Sequence, residues 1–119
     1  MVTVHDRFAV SVILYLLILG VWGIVSYFRR TGMTSNYRGT LVIGEAMLFT
    51  QGIFGIVLVI SGYRPSHSLH FLYGGLSIFV LPLLMSYARV RPKHQAPLIY
   101  GIGALFIMGL AIRAMMTGA

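Results

Sequence analysis

Four apolar runs, each close to the length that crosses a membrane as a helix, constrain this chain more than any other feature. A hydrocarbon core about 30 Å thick needs roughly 20 apolar residues per helical crossing. The runs cover residues 8–28, 41–62, 69–88 and 98–115. With 58% hydrophobic and only 9% charged residues, the chain has the composition of a membrane protein.

The connections between the runs are short, so consecutive helices must run antiparallel. We expect an all-α, integral membrane four-helix up-down-up-down bundle that forms a single membrane domain over residues 1–119. The first run has no small-residue cleavage pattern and ends in Tyr27-Phe28-Arg29-Arg30, which predicts an uncleaved helix rather than a secretory signal. Function is then expected to lie within the bundle or on its surfaces.

Prolines and one serine mark the expected helix boundaries. Pro92 and Pro97 bracket the third connection, and Pro97 suits the first turn of the fourth helix. Ser66 is a candidate N-cap for the third helix. Pro82, inside that helix, removes one backbone hydrogen bond and predicts a bend.

The basic residues predict the orientation of the bundle. Six flank the first and third connections (Arg29, Arg30, Arg38, Arg89, Arg91 and Lys93), and three lie at the opposite ends of the runs (Arg7, Arg64 and Arg113). Because positive residues concentrate on the cytoplasmic side, both termini are predicted to lie outside. This distribution also explains the net charge of +7 as a topology signal, so no nucleic-acid partner is expected.

Small residues occur in every run and predict close helix packing. They include Gly20, Gly23, Gly44, Gly52, Gly55, Gly74, Gly75, Gly101, Gly103, Ala104 and Gly109. In lipid, such residues allow helix backbones to approach each other, within the bundle or against another subunit.

Several chemistries have no support in the sequence. The chain contains no cysteine, which excludes disulfides, iron–sulfur clusters and thioether-linked haem. No phosphate-binding loop, nucleophile–base pair or histidine–carboxylate metal spacing is present. We therefore expect no catalytic residues, no metal site and no independent enzymatic activity.

Three histidines near one end of the bundle are the candidate cofactor ligands. His67 and His70 are three residues apart and would share one face of the third helix. His5 is predicted to lie just before the first helix on the same side of the membrane. A b-type haem could use His70 with His67 or His5, and Arg7 and Arg64 could hold its propionates. Histidines bonded to water or lipid headgroups are the alternative.

Glu45 is the one acid inside an apolar run. An intramembrane carboxylate suggests a proton relay, a quinone contact or an ion site. The alternative that we favour is a structural ion pair near the start of the second helix, with Arg38, Arg29 or Arg30 as the partner.

Three stretches carry a resemblance to known proteins: YRGTLVIGEAMLFTQGIFG, LHFLYGGLSIFVLP and LFIMGLAIRAMMTG. Between residues 6 and 118 the chain resembles small uncharacterised four-helix membrane proteins of bacteria. More loosely, it looks like accessory membrane subunits of respiratory or photosynthetic electron-transfer assemblies such as alternative complex III. The resemblance implies a bacterial inner membrane, with periplasmic termini in the predicted orientation.

The first expectation is thus a non-catalytic accessory subunit of a larger membrane electron-transfer complex, without a cofactor of its own. Its partners would be the larger subunits, lipids and a quinone. A small b-type cytochrome with haem near the outer face is the second hypothesis. A proton-coupled carrier centred on Glu45 is the third, and it requires that Glu45→Gln abolish transport.

Overall fold

Four long helices account for most of the chain. The computed structural model describes the backbone of residues 2–63 and 68–118 and the side chains of residues 3–63 and 68–117. The helices are α1 (Val2–Phe28), α2 (Ser35–Ile60), α3 (Leu69–Arg89) and α4 (Ala96–Gly118), with a turn of 3₁₀ helix, Lys93–Gln95, before α4. Each of the four is long and apolar enough to cross a membrane. The prediction of an all-α, multi-pass membrane protein is confirmed.

The bundle is 48 Å long and 23 by 20 Å across. Its length exceeds the hydrocarbon core and matches a bilayer with its headgroup layers, about 40–45 Å. Because the helices alternate in direction, one end of the bundle contains the residues near the two termini and the second connection, and the other end contains the first and third connections. We call them the termini end (residues 2–7, 58–63, 68–72 and 112–118) and the basic end (residues 28–38 and 87–97).

The helices α1, α2 and α4 begin before their apolar runs, because polar residues or residues of the connections extend them at the amino-terminal end, whereas α2 ends at Ile60, two residues before the end of its run. The α1 helix includes the polar residues before its apolar run. It ends where Arg30 adopts a left-handed conformation, with φ 59°, and the Thr31 N–H donates to the Ser26 carbonyl at 3.1 Å. The Thr34 hydroxyl then accepts from the Tyr37 N–H at 3.1 Å and caps α2. Ser66, the expected cap of α3, lies outside the described residues.

Glycines bring α1 and α4 into close contact. A Cβ atom on Gly101 would lie 2.9 Å from both the Gly20 carbonyl oxygen and the Ile24 backbone nitrogen. On the other helix, a Cβ on Gly23 would lie 2.6 Å from the Pro97 carbonyl oxygen. Real Cβ atoms do not approach backbone so closely, so these positions require glycine. The predicted small-residue packing is therefore present at this interface.

Two tyrosines fasten the start of α2 to α1. Tyr37 is buried, its ring lies 5.1 Å from the Trp22 ring, and its Oη donates to the Leu19 carbonyl at 3.0 Å. Tyr15 Oη donates to the Thr40 carbonyl at 2.7 Å. Both hydroxyls satisfy carbonyls inside an apolar environment, where an unpaired polar group is costly.

The α2 and α3 helices touch each other less than the other sequential helix pairs do. The α3 helix continues through Pro82, whose side chain is exposed. We call this weakly packed region the α2–α3 seam, and two cavities, one nearer each end of the bundle, are lined by residues of both helices.

The α1–α4 contact generates a stability prediction. Gly101→Ala should destabilise the protein by about 1–3 kcal/mol, because its Cβ would overlap the α1 backbone. The matched control is Gly109→Ala on the same helix, where a Cβ meets nothing within 4 Å. The midpoint of thermal unfolding in detergent, followed through the single tryptophan, should fall only for Gly101→Ala. Equal midpoints in the two variants would contradict the close contact.

Candidate functional site

The cavity at the termini end contains most of the candidate residues. It has a volume of about 530 Å³ and is lined by all four helices. Most of its surface is apolar, and its polar side chains include His5, Gln51, His70 and Ser77. An apolar pocket of about 300–1,000 Å³ with a few converging polar groups is typical of a cofactor or small-molecule site.

His70 joins α3 to α4 through a specific hydrogen bond. Its Nδ1 lies 2.5 Å from the Ala114 carbonyl oxygen. A carbonyl can only accept, so Nδ1 carries the proton and, in the neutral ring, Nε2 keeps its lone pair. The side chain is half-buried. His70 is thus oriented as a ligand or hydrogen-bond acceptor.

His5 lies in the first turns of α1, and this corrects the expectation that it precedes the helix. The polar residues around it continue the helix, and its ring is half-buried in the cavity. Its Nδ1 is buried and has no hydrogen-bond partner among the described residues. The His5 and His70 ring centroids lie 6.1 Å apart, with ring planes at 73°.

Gln51 is a site residue that the sequence reasoning did not select. Its Nε2 donates to the His5 carbonyl at 2.8 Å and so holds the start of α1 against α2. Its Oε1 is buried without a partner among the described residues. A lone amide inside an apolar run was the signal in the sequence, since such a group is expensive in lipid unless it is bonded.

Glycines leave the cavity open beside the histidines. Gly74 and Gly75 line it one turn after His70, and a Cβ at either position would meet nothing within 4 Å. Gly55 faces His5, and a Cβ there would lie 3.6 Å from the His5 Cε1 atom. Larger side chains at these positions would occupy space that the structure leaves free.

Three further candidates were predicted near these histidines. His67 and Arg64, predicted as a ligand and a propionate partner, lie outside the described residues. Arg7 is exposed. The described part of the chain contains no group of three or more histidine, cysteine or acidic side chains that could hold a bare metal ion.

Glu45 lies away from His5 and His70, in the cavity nearer the basic end. That cavity has a volume of about 740 Å³, and Arg38 also lines it. Both carboxylate oxygens of Glu45 are buried and have no partner among the described side chains and backbone groups. The expected ion pair with Arg38, Arg29 or Arg30 is therefore not formed, although the structure brings Glu45 and Arg38 to one cavity.

Comparisons with known proteins identify no relative. A scan of protein-family models gives no match, and searches of curated proteins and of solved structures also give none.

The Gln51 contact generates a second prediction. Gln51→Leu should destabilise the protein by about 1 kcal/mol, because it removes a hydrogen bond between α1 and α2. The control is Thr50→Val on the same helix, since the Thr50 hydroxyl bonds within α2, to the Ala46 carbonyl at 2.8 Å. Hydrogen exchange should rise in the first turns of α1 only for Gln51→Leu. Unchanged exchange there would show that Gln51 does not hold α1.

Proposed function

We propose that this chain is a haem-b-binding transmembrane subunit of a membrane electron-transfer assembly, with His5 and His70 as the axial ligands. The observation that supports the proposal is the convergence of these two imidazoles, from α1 and α3, in one apolar cavity. The proposal keeps the subunit role of the first expectation and replaces its lack of a cofactor with the haem of the second hypothesis.

The spacing of the rings fits a shared iron. An imidazole nitrogen lies about 2 Å from a metal that it binds and the ring centre about 1 Å beyond it, so two imidazoles that held one iron would have centroids at most about 6 Å apart. The His5 and His70 centroids lie 6.1 Å apart. Two imidazoles alone would leave a bare metal poorly coordinated, whereas a porphyrin supplies four further nitrogens.

The hydrogen bond of His70 is the one that a metal ligand needs. Ligating histidines usually donate their second ring N–H to a carbonyl or carboxylate, which fixes the tautomer and the orientation of the ring. The Ala114 carbonyl accepts from Nδ1 of His70 in this way, so the neutral ring would bind a metal through Nε2. At His5, the Gln51 side-chain Nε2 donates to the backbone carbonyl of His5 and so holds the backbone of that residue.

The cavity suits a flat, mostly apolar group. Its wall is largely apolar. Gly74 and Gly75, one turn after His70 on α3, have no side chains and leave the adjoining space in the cavity free. The weak contact between α2 and α3 offers an entry path from the side. Haem would supply one-electron redox chemistry. His5 and His70 would bind it, and the apolar wall of the cavity would exclude water.

A single haem implies partners. It can only pass electrons between a donor and an acceptor, and the absence of cysteine from the chain excludes an iron–sulfur relay within it. We therefore propose that larger subunits supply the catalytic centres, and that quinone chemistry belongs to them. The excess of arginine and lysine at the basic end supports a cytoplasmic location for that end. The bacterial inner membrane is proposed from the resemblance alone. The haem would then lie near the periplasmic face.

Spectroscopy of the purified protein tests the haem. After expression with adequate haem supply, the protein should show a Soret band and a low-spin spectrum typical of two imidazole ligands. Because the ring planes stand at 73°, the EPR signal of the oxidised form should be strongly anisotropic. His70→Ala and His5→Ala should each lose most of the haem or convert it to high spin.

His94→Ala is the matched control, because His94 is exposed and lies at the opposite end of the bundle. Its spectrum should equal that of the unmodified protein. A colourless, folded protein would refute the haem proposal, as would a haem spectrum that survives both His5→Ala and His70→Ala.

Gentle purification from native membranes tests the assembly. Large redox subunits should accompany the chain at fixed stoichiometry, because a lone relay has no function by itself. A stable monomer that carries out a redox reaction alone in detergent would contradict the subunit role even if haem is present.

A further inference from the structure

The cavity nearer the basic end combines an apolar wall with a cationic mouth. It lies between α2 and α3 and reaches the start of α4, with a volume of about 740 Å³. Its wall is largely apolar and includes Leu41, Val42, Phe49, Leu81 and Met85. Such a wall suits a hydrocarbon chain.

Two arginines, one lysine and one histidine from three segments line the same cavity. Arg38 comes from α2, Arg89 from the end of α3, and Lys93 with His94 from the turn before α4. All four side chains are exposed at the end of the bundle that is predicted to meet a headgroup layer. Their convergence on one opening distinguishes them from cations that are scattered over a surface.

No acidic side chain among the described residues forms an ion pair with these cations. The chain contains two acidic residues, and one of them, Asp6, lies at the termini end. The other, Glu45, lines the cavity, but its carboxylate oxygens have no partner among the described residues. The positive charge of Arg38, Arg89 and Lys93 is therefore left for an external anion.

We propose that this cavity binds one anionic phospholipid, with the phosphate at Arg38, Arg89 and Lys93 and an acyl chain along the apolar wall. Basic pockets between transmembrane helices suit anionic headgroups, and guanidinium groups bind phosphate through charge-assisted hydrogen bonds. A free phosphate ion would leave the apolar part of the cavity unfilled. The open α2–α3 seam allows an acyl chain to enter from the bilayer.

Native mass spectrometry of the delipidated protein tests the site, with dioleoylphosphatidylglycerol and dioleoylphosphatidylcholine as probes. The phosphatidylglycerol should bind preferentially. The double variant Arg38→Gln/Arg89→Gln should weaken its binding about 30-fold, at about 1 kcal/mol per cation near the membrane surface. The matched control, Arg29→Gln/Arg30→Gln, removes the same charge at the same end from residues that do not line the cavity, and it should bind like the unmodified protein.

A second variant keeps every cation. Ala46→Trp should narrow the cavity and lower phosphatidylglycerol binding, because Ala46 lies on its wall. Tryptophan fluorescence melting of the arginine variants checks folding, and if the Arg38→Gln/Arg89→Gln protein does not fold, the Ala46→Trp result decides.

Equal losses in the two arginine variants, or full displacement of the lipid by millimolar inorganic phosphate, would overturn the proposal. So would unchanged binding in Ala46→Trp. None of these outcomes depends on haem at the other cavity, since each is read as lipid mass on the protein.

Discussion

The close approach of α1 and α4 is the contact on which the rest of the bundle depends. Lipid offers apolar side chains no advantage for clustering, so helices associate in it through backbone proximity and van der Waals packing. Gly20, Gly23 and Gly101 provide that proximity. The α2 helix then packs on α1 and α3 packs on α4, while α2 and α3 meet each other only weakly. The seam and its two cavities follow from this arrangement.

The two cavities carry opposite chemistry because the polar residues of the chain are divided between the ends of the helices. At the termini end, half-buried histidines and an amide line an apolar cavity, and two of their polar atoms, His5 Nδ1 and Gln51 Oε1, have no partner among the described residues. At the basic end, fixed cations surround an apolar space. Polar groups inside a membrane are costly unless they are satisfied. A cofactor at one end and a lipid at the other would satisfy groups that the protein leaves unpaired.

Hydropathy located the four crossings but not the ends of the helices, and this affected the candidate site. The first residues of α1 are polar, and local hydropathy cannot tell whether a polar segment extends a helix or precedes it. His5 was therefore expected outside α1, although the helix includes it. Gln51 and Glu45 were visible as isolated polar residues. Their contacts depend on how α2 is rotated against its neighbours, which sequence spacing does not determine.

The sequence by itself determined the number of crossings, the antiparallel order and the concentration of positive charge at one end. These follow from run length, short connections and residue counts, which are local properties of the chain. Only the tertiary structure decided that His5 and His70, which are far apart in the chain, share a cavity, and that Glu45 has no arginine partner. Both outcomes depend on the rotation and depth of each helix, and these are set by glycine contacts and interhelical hydrogen bonds between distant segments.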